Sequence, residues 1–218
     1  MPLALNIVAT FIFFYLLGAI QTAVIVGRVA KGLDIRSYGS GNAGGTNVFR
    51  ILGWKHGVFV TLVDVLKGAL AASIAPSLIF IIVPFDIQYV QLAAGLAATI
   101  GHIWPVFLNF KGGKGVGAAA GTILAVFPVA AVICMLIFIS TVYLTRYISL
   151  ASLLSSLSFP LVLYFVSLWY NQQIPDSLVI SSLVFPALIT LTHRENIYRL
   201  MNGSERKFGD ELQNENIA

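Results

Sequence analysis

Charge is scarce in this chain. Of its 218 residues only 10% are Asp, Glu, Lys or Arg, while 58% are hydrophobic. A soluble domain carries about 25% charged residues, so the composition excludes an ordinary soluble fold. Cysteine is almost absent. Cys134 stands alone inside an apolar run, which excludes a disulfide framework and a thiolate metal site and leaves it a small packing residue. Histidine occurs three times, at 56, 102 and 193, with no His-Glu-x-x-His spacing. No metal or other cofactor is therefore expected. The net charge of +4 rests on 13 basic residues, most of them beside apolar runs, where they set membrane orientation. Nucleic acid is not an expected partner.

What the chain has is length in hydrocarbon. Apolar runs extend over Leu3–Gly27 and roughly 57–83, 88–108, 115–145, 148–169 and 177–192, most of them long enough to span a bilayer. The first lacks a basic leader and exceeds a signal-peptide core, so it is expected as a retained span. Trp54, Trp104 and Trp169 fall near run ends, where interfacial aromatics belong. The 115–145 run would make a helix of roughly 45 Å, against a hydrocarbon core of about 30 Å, and Pro128 sits near its middle.

Loop charge decides whether that run turns back. Arg28, Lys31, Arg36, Arg50, Lys55, Lys111, Lys114, Arg146, Arg194, Arg199, Arg206 and Lys207 all lie between or after runs, whereas 84–87 and 170–176 carry only Asp86 and Asp176. A reversal near Pro128 puts every loop Lys and Arg on one face. The expectation is an all-α integral membrane protein of about seven transmembrane helices, N-terminus outside and C-terminus cytoplasmic. Five full crossings with a re-entrant hairpin would give the same sidedness. Residues 1–207 form one polytopic domain in this reading, and 208–218 a polar, disordered cytoplasmic tail. Ala94/Ala98, Gly117/Gly121 and Ser152/Ser156 repeat small residues at a spacing of four, the signature of close helix packing.

Three polar stretches then face one side: 38–50, 102–115 and 193–199. In the first, Gly39, Ser40, Gly41, Asn42, Gly44, Gly45, Thr46 and Asn47 precede Arg50. Such a loop is either a flexible connection or an anion-binding nest of backbone amides; no Gly-Lys-Ser/Thr ends it, so it is not a Walker loop. In the second, Lys111-Gly112-Gly113-Lys114-Gly115 precedes a helix start. The lysines either enforce sidedness or place two ammonium groups and several amides near one anion. His102 and His193 head their stretches and read either as structural or as acid–base groups. Asp64 and Lys67, three apart, share a helix face. They are either a mutual ion pair or a carboxylate orienting a lysine that faces an anion. No Gly-x-Ser-x-Gly elbow occurs, so an acyl-serine route lacks its marker. Neither does His-x-x-x-x-Asp, the pair of the glycerolipid acyltransferases.

In order along the chain, Gly39-Ser-Gly-Asn-Ala-Gly-Gly-Thr-Asn47, Asp64-Val-Leu-Lys-Gly68, Gly101-His-Ile-Trp-Pro-Val-Phe107 with Phe110-Lys-Gly-Gly-Lys-Gly-Val116, and His193-Arg-Glu-Asn-Ile-Tyr-Arg-Leu200 resemble the motifs of the bacterial acyl-phosphate:glycerol-3-phosphate acyltransferases, the PlsY family. The resemblance runs to about Lys207. Gly45 replaces a usual alanine, and Gly117-Ala118 replaces a usual Ala-Thr. The resemblance implies transfer of a fatty acyl group from acyl phosphate to the first hydroxyl of glycerol 3-phosphate, releasing lysophosphatidic acid and phosphate at the cytoplasmic face of the bacterial inner membrane. Catalytic roles are expected for Ser40, Asn42, Arg50, Lys114 and His193. Substrate contacts would come from Gly41, Gly44, Thr46, Asn47, Asp64, Lys67, His102, Lys111, Gly112, Gly113, Gly115 and Asn196. In that scheme Ser40, Asn42, the 41–47 backbone, Arg50 and Lys114 hold the acyl phosphate; Lys67, Lys111, His193 and Asn196 hold glycerol 3-phosphate. A substrate phosphate oxygen takes the hydroxyl proton, or His102 or His193 does. The partners are the two substrates and the lipid bilayer, and a monomer suffices. The rival readings are a carrier of phosphorylated metabolites, which would favour an internal repeat and a midplane site, and a structural membrane subunit, which would not need three motif-rich loops.

Overall fold

The computed structural model describes residues 3–78, 86–169 and 174–210. Among them every regular element is helical. Helix α1 (Leu3–Ala19) breaks at Ile20–Gln21 and continues as α2 (Thr22–Lys31), which stops at Gly32 in the left-handed conformation. A short α3 (Gly45–Leu52) leads into α4 (Trp54–Leu78). Next come α5 (Ile87–Ile103), α6 (Val116–Val126), α7 (Pro128–Thr145), α8 (Ile148–Trp169), and the chain α9 (Asp176–Ser182), α10 (Val184–Thr192) and α11 (Arg194–Met201).

Five helical segments have the length and apolarity of a membrane span: Leu5–Lys31, Trp54–Leu78, Ile87–Leu108, Pro128–Thr145 and Ile148–Trp169. Asp176–Thr192 with Arg194–Met201, bent by 62°, makes a sixth. The 115–145 run breaks at Phe127, with Pro128 opening α7 at the helix position where its missing N–H costs nothing. Helix α6 has only 11 residues, roughly 16 Å at about 1.5 Å per residue, too short to cross alone. Asp86 holds the N-cap position of α5 and Asp176 opens α9; residues 79–85, including the end of the expected 57–83 run, and 170–173 lie outside the described residues. Trp54, Trp104 and Trp169 stand at helix ends as expected.

Packing is tightest where glycine lets backbones touch. A Cβ on Gly68 would fall 1.9 Å from the Ala118 carbonyl oxygen, and one on Gly121 1.8 Å from that of Val65, so α4 and α6 meet almost backbone to backbone. Helix α5 similarly approaches α1 at Gly18 and Gly101. Ala94 and Ala98 are fully buried at the same contact, with Phe14 and Ala71. The third expected pair, Ser152/Ser156, behaves differently: both serines line the main cavity, and their hydroxyls donate to the Ile148 and Leu153 carbonyls of their own helix. Helix α7 packs along α8, yet only 6% of its spanning window is buried. The larger core cluster, around Phe127, Phe159, Leu163 and Phe185, sits beneath the cavity.

The α4–α6 contact gives a direct test. Gly121→Ala forces α6 away from Val65, and overpacking of this kind costs ~1–3 kcal/mol. The thermal unfolding midpoint of the detergent-solubilised protein is expected to fall accordingly, and an unchanged midpoint contradicts the contact.

Candidate active site

Asn47 builds the first loop. Its side-chain amide donates to the Ile35 and Tyr38 carbonyls, at 3.0 and 3.1 Å, and its oxygen accepts the Ser40 N–H at 2.9 Å. Gly39 has φ +61 and a Cβ there would meet the Asn47 oxygen at 2.4 Å, so only glycine fits. Folded this way, the loop delivers the first turn of α3, whose leading amides have no partner within the helix. The side chains of Asn42 and Arg50 line the same cavity. Neither forms a side-chain hydrogen bond or ion pair among the described residues.

The Lys-Gly-Gly-Lys loop is folded against His102. The Gly112 N–H reaches the Ile103 carbonyl and the Gly113 N–H that of His102. A Cβ on Gly113 would lie 1.9 Å from the His102 Nε2. Gly115, at φ +84, then turns the chain into α6. Lys114 donates through Nζ to the Asn196 side-chain oxygen, a very short contact, while its carbonyl accepts from the Thr192 hydroxyl at 3.0 Å. Asn196 donates in turn to Glu205 at 2.6 Å. Burial lowers the Lys114 pKa to about 8, an effect that Glu205 opposes and Arg199 reinforces.

His193 sits at the bend between α10 and α11, 3% exposed. Its Nδ1 donates to the Ile189 carbonyl at 2.8 Å, leaving Nε2 as the ring nitrogen with a free lone pair. His102 is equally buried, with Nδ1 at 3.5 Å from Asp64 Oδ1. Asp64 also pairs with Lys67 at 2.8 Å. Lys67 donates onward to the Ile20 carbonyl at 2.9 Å and the Gly18 carbonyl at 3.4 Å, capping the end of α1. Gln21 completes the knot by donating to the His102 carbonyl at 2.9 Å.

All three polar stretches meet on one cavity of about 640 Å³. Ser40, Asn42, Gly44, Thr46, Asn47, Arg50, Asp64, His102, Lys114, Gly115, His193 and Asn196 line it. Five expected residues do not. Lys67 is spent on Asp64 and the α1 carbonyls. The Lys111 side chain lies at the exposed edge, its carbonyl 3.3 Å from Arg36. Gly112 and Gly113 serve as packing for His102 and Ile103, and Gly41, at φ +70, turns the first loop. Away from the polar end, the lining becomes apolar: Ile123 and Leu124 of α6, Val132, Met135 and Phe138 of α7, Phe159 of α8 and Phe185 of α10.

A family model described as glycerol-3-phosphate acyltransferase matches residues 8–203. The chain belongs to the glycerol-3-phosphate acyltransferase family. It is 43% identical to the glycerol-3-phosphate acyltransferase of Chlorobium phaeobacteroides (strain DSM 266 / SMG 266 / 2430), over 94% of this chain and 98% of the relative. Identity to that of Chlorobium limicola (strain DSM 245 / NBRC 103803 / 6330) is 40%, covering 93% and 97%. Among solved structures it is similar to PlsY (YgiH), an integral membrane glycerol 3-phosphate acyltransferase. The glycerol 3-phosphate form matches at TM-score 0.82 and 41% identity, over 93% of this chain and 96% of that one. The lysophosphatidic acid form matches at TM-score 0.80 and 40% identity, covering 93% and 95%. The motif resemblance to PlsY is thereby borne out.

Against this family frame, several site residues escape the motif reading. Glu205 accepts from the Ser149 hydroxyl at 2.7 Å, Asn196 at 2.6 Å and Arg199 at 2.7 Å. Burial alone would raise its pKa; the three donors outweigh that and hold the carboxylate charged. Its one sequence signal is a lone acidic residue inside a basic stretch, Arg199 to Lys207. Thr61 and Arg206 also line the cavity. The tail expected to begin at 208 is engaged as far as Asp210, because Phe208 and Asp210 both contact Arg146; residues 211–218 lie outside the described residues.

The Lys114 ammonium gives the site a pH signature. A bound anion favours the charged form, which is depleted as pH rises through about 8. Affinity for inorganic phosphate, measured calorimetrically, is therefore expected to fall between about pH 7.5 and 9.5. Lys114→Arg, charged throughout, should flatten that fall; an equally steep fall in the variant excludes Lys114 as its source.

Proposed function

We propose that this protein transfers a fatty acyl group from acyl phosphate to the sn-1 hydroxyl of glycerol 3-phosphate, releasing lysophosphatidic acid and inorganic phosphate. The observation that carries this reading is the composition of one cavity. Its polar end offers the Arg50 and Lys114 cations with the leading amides of α3, and its other end is an apolar trough between α6, α7, α8 and α10. One end suits phosphate and the other an acyl tail. Acyl phosphate is a mixed anhydride with a good leaving group, so no covalent enzyme intermediate is required. The glycerol hydroxyl oxygen forms the new bond to the acyl carbon, the carbon–oxygen bond to phosphate breaks, and phosphate departs with that electron pair. Donors fixed before the reaction stabilise the developing charge, and alignment of the two substrates supplies much of the remainder.

In this scheme Ser40, Asn42, Arg50, Lys114 and the 41–47 backbone hold the acyl phosphate, while His193 and Asn196 hold glycerol 3-phosphate. Lys67, Asp64 and His102 act through the framework around the loop. The hydroxyl proton passes to a substrate phosphate oxygen. The tethered Nδ1 of His193 supports it as an orienting acceptor, and His102 is packed between Asp64 and Gly113. The protein works as a monomer with its site at the cytoplasmic face of the bacterial inner membrane. The chain makes about seven passes, α6 short of a full crossing and the bent α9–α11 segment the last of them, N-terminus outside and C-terminus inside.

Purified protein given palmitoyl phosphate and glycerol 3-phosphate should release phosphate without a second compartment; substrate-dependent flux into vesicles with no release would instead favour a carrier. Arg50→Ala is expected to lower kcat/KM by about 10²–10³, the range for losing one preorganised donor. His102→Gln and His193→Gln should retain kcat within about tenfold while KM changes, below the 10²–10⁴ contribution of a general base; a larger loss of kcat restores histidine as the base.

Sidedness is checked separately. With Cys134 replaced by alanine, cysteines at Asn42, Lys111 and Asn202 should all react with an impermeant maleimide from the cytoplasmic side only. Labelling from opposite sides would overturn the proposed topology.

A further inference from the structure

The segment after α11 folds back over the polar end of the cavity and is anchored at several points. Glu205 is held by Ser149, Asn196 and Arg199. Phe208 donates its N–H to the Arg146 carbonyl at 2.6 Å, and its own carbonyl accepts from the Arg146 guanidinium at 2.8 and 3.1 Å. The Phe208 ring packs on Phe49 of α3, centroids 4.9 Å apart, one residue before Arg50. The Lys207 ammonium lies over the Tyr147 ring.

Arg206 stands between these anchors. It lines the cavity, and it makes no ion pair or hydrogen bond among the described residues. Its charge presses on Arg50 across the same space. The carboxylates that act on Arg50, Glu205 and Asp210, are paired with Arg199 and Arg146, so two guanidiniums facing one cavity leave room for an anion between them.

Charge matching points the same way. Arg199 is neutralised by Glu205 and Lys67 by Asp64, leaving Arg50, Lys114 and Arg206 as the cavity cations without a carboxylate partner. A phosphate monoester carries about −1.5 to −2 at pH 7, so two of them exceed what Arg50 and Lys114 alone can balance.

We infer that Arg206 is a substrate-binding residue, a third phosphate-recognising cation delivered to the site by the anchored 202–210 strap, with Phe208 and Arg146 as its positioning residues. The ligand chemistry is a phosphate group, and the two substrates are its two possible sources. The inference rests on the acyl-transfer reading above.

The test is the steady-state phosphate-release assay on the full-length protein, with palmitoyl phosphate and glycerol 3-phosphate varied separately and inorganic phosphate as inhibitor. Arg206→Ala is expected to raise the KM of one substrate about tenfold, the loss of one charged hydrogen bond, with kcat within about threefold. The substrate whose KM moves identifies the phosphate. Arg206→Lys should recover most of the loss. Phe208→Ala should move the same KM in the same direction, and Phe208→Tyr should restore it. Lys55→Ala, removing an exposed cation stacked on Trp54, should leave both KM values unchanged. If Arg206→Ala leaves both KM values and the phosphate inhibition constant as in the parent, or if Lys55→Ala produces the same shift, the assignment fails while the acyl-transfer reading stands. A parent protein that releases no phosphate at all overturns that reading, and this assignment with it.

Discussion

A carboxylate buried among membrane helices dictates what stands around it. Asp64 is 4% exposed, and an unpaired charge there would be costly in the bundle. The structure answers with Lys67 and the His102 ring. Lys67 is thereby committed to the last carbonyls of α1, His102 to Gln21 and the glycine loop, and the polar ends of α1, α4 and α5 are tied together. The loop that carries Lys114 is laid across this knot. The position of Lys114 thus depends on an ion pair that faces largely inward.

Around the knot, polar groups divide into satisfied and unsatisfied sets. Asn47 satisfies three backbone groups and has no side-chain N–H left for a ligand. Arg50 and the Gly45 and Thr46 amides are delivered by that same folded loop and have no protein acceptor among the described residues. Asn196 shares both natures, accepting from Lys114 while held by Glu205. A site of this kind is preorganised: its donors are already aimed when an anion arrives, so little ordering remains to be done.

Much of this was legible in the residues. The break at Pro128, the tryptophans at helix ends and the convergence of three polar stretches on one cavity were all legible from apolar length, turn residues and the placement of Lys and Arg. What escaped was contact between distant segments. Nothing in the spacing of Lys67 tells that its ammonium is consumed by carbonyls 47 and 49 residues away. Nothing around Gly112 and Gly113 distinguishes an anion nest from a close approach to an imidazole, since both require the absence of a side chain. Ser152 and Ser156 read as packing residues by spacing alone, yet both line the cavity, their hydroxyls turned to carbonyls of their own helix. Glu205 was hidden because its partners, Ser149 and Asn196, come from two other parts of the chain.

One face of α7, with Val132, Met135, Leu136 and Ile139, is exposed, and Val132 and Met135 also line the trough, so in a bilayer lipid would complete that side. An alkyl tail already dissolved in hydrocarbon gains no hydrophobic energy by moving against such a wall, because lipid and leucine are equally apolar. The free energy of capture must then come from the head group. Under the proposed acyl transfer, discrimination among fatty tails is accordingly a matter of shape and crowding at that wall.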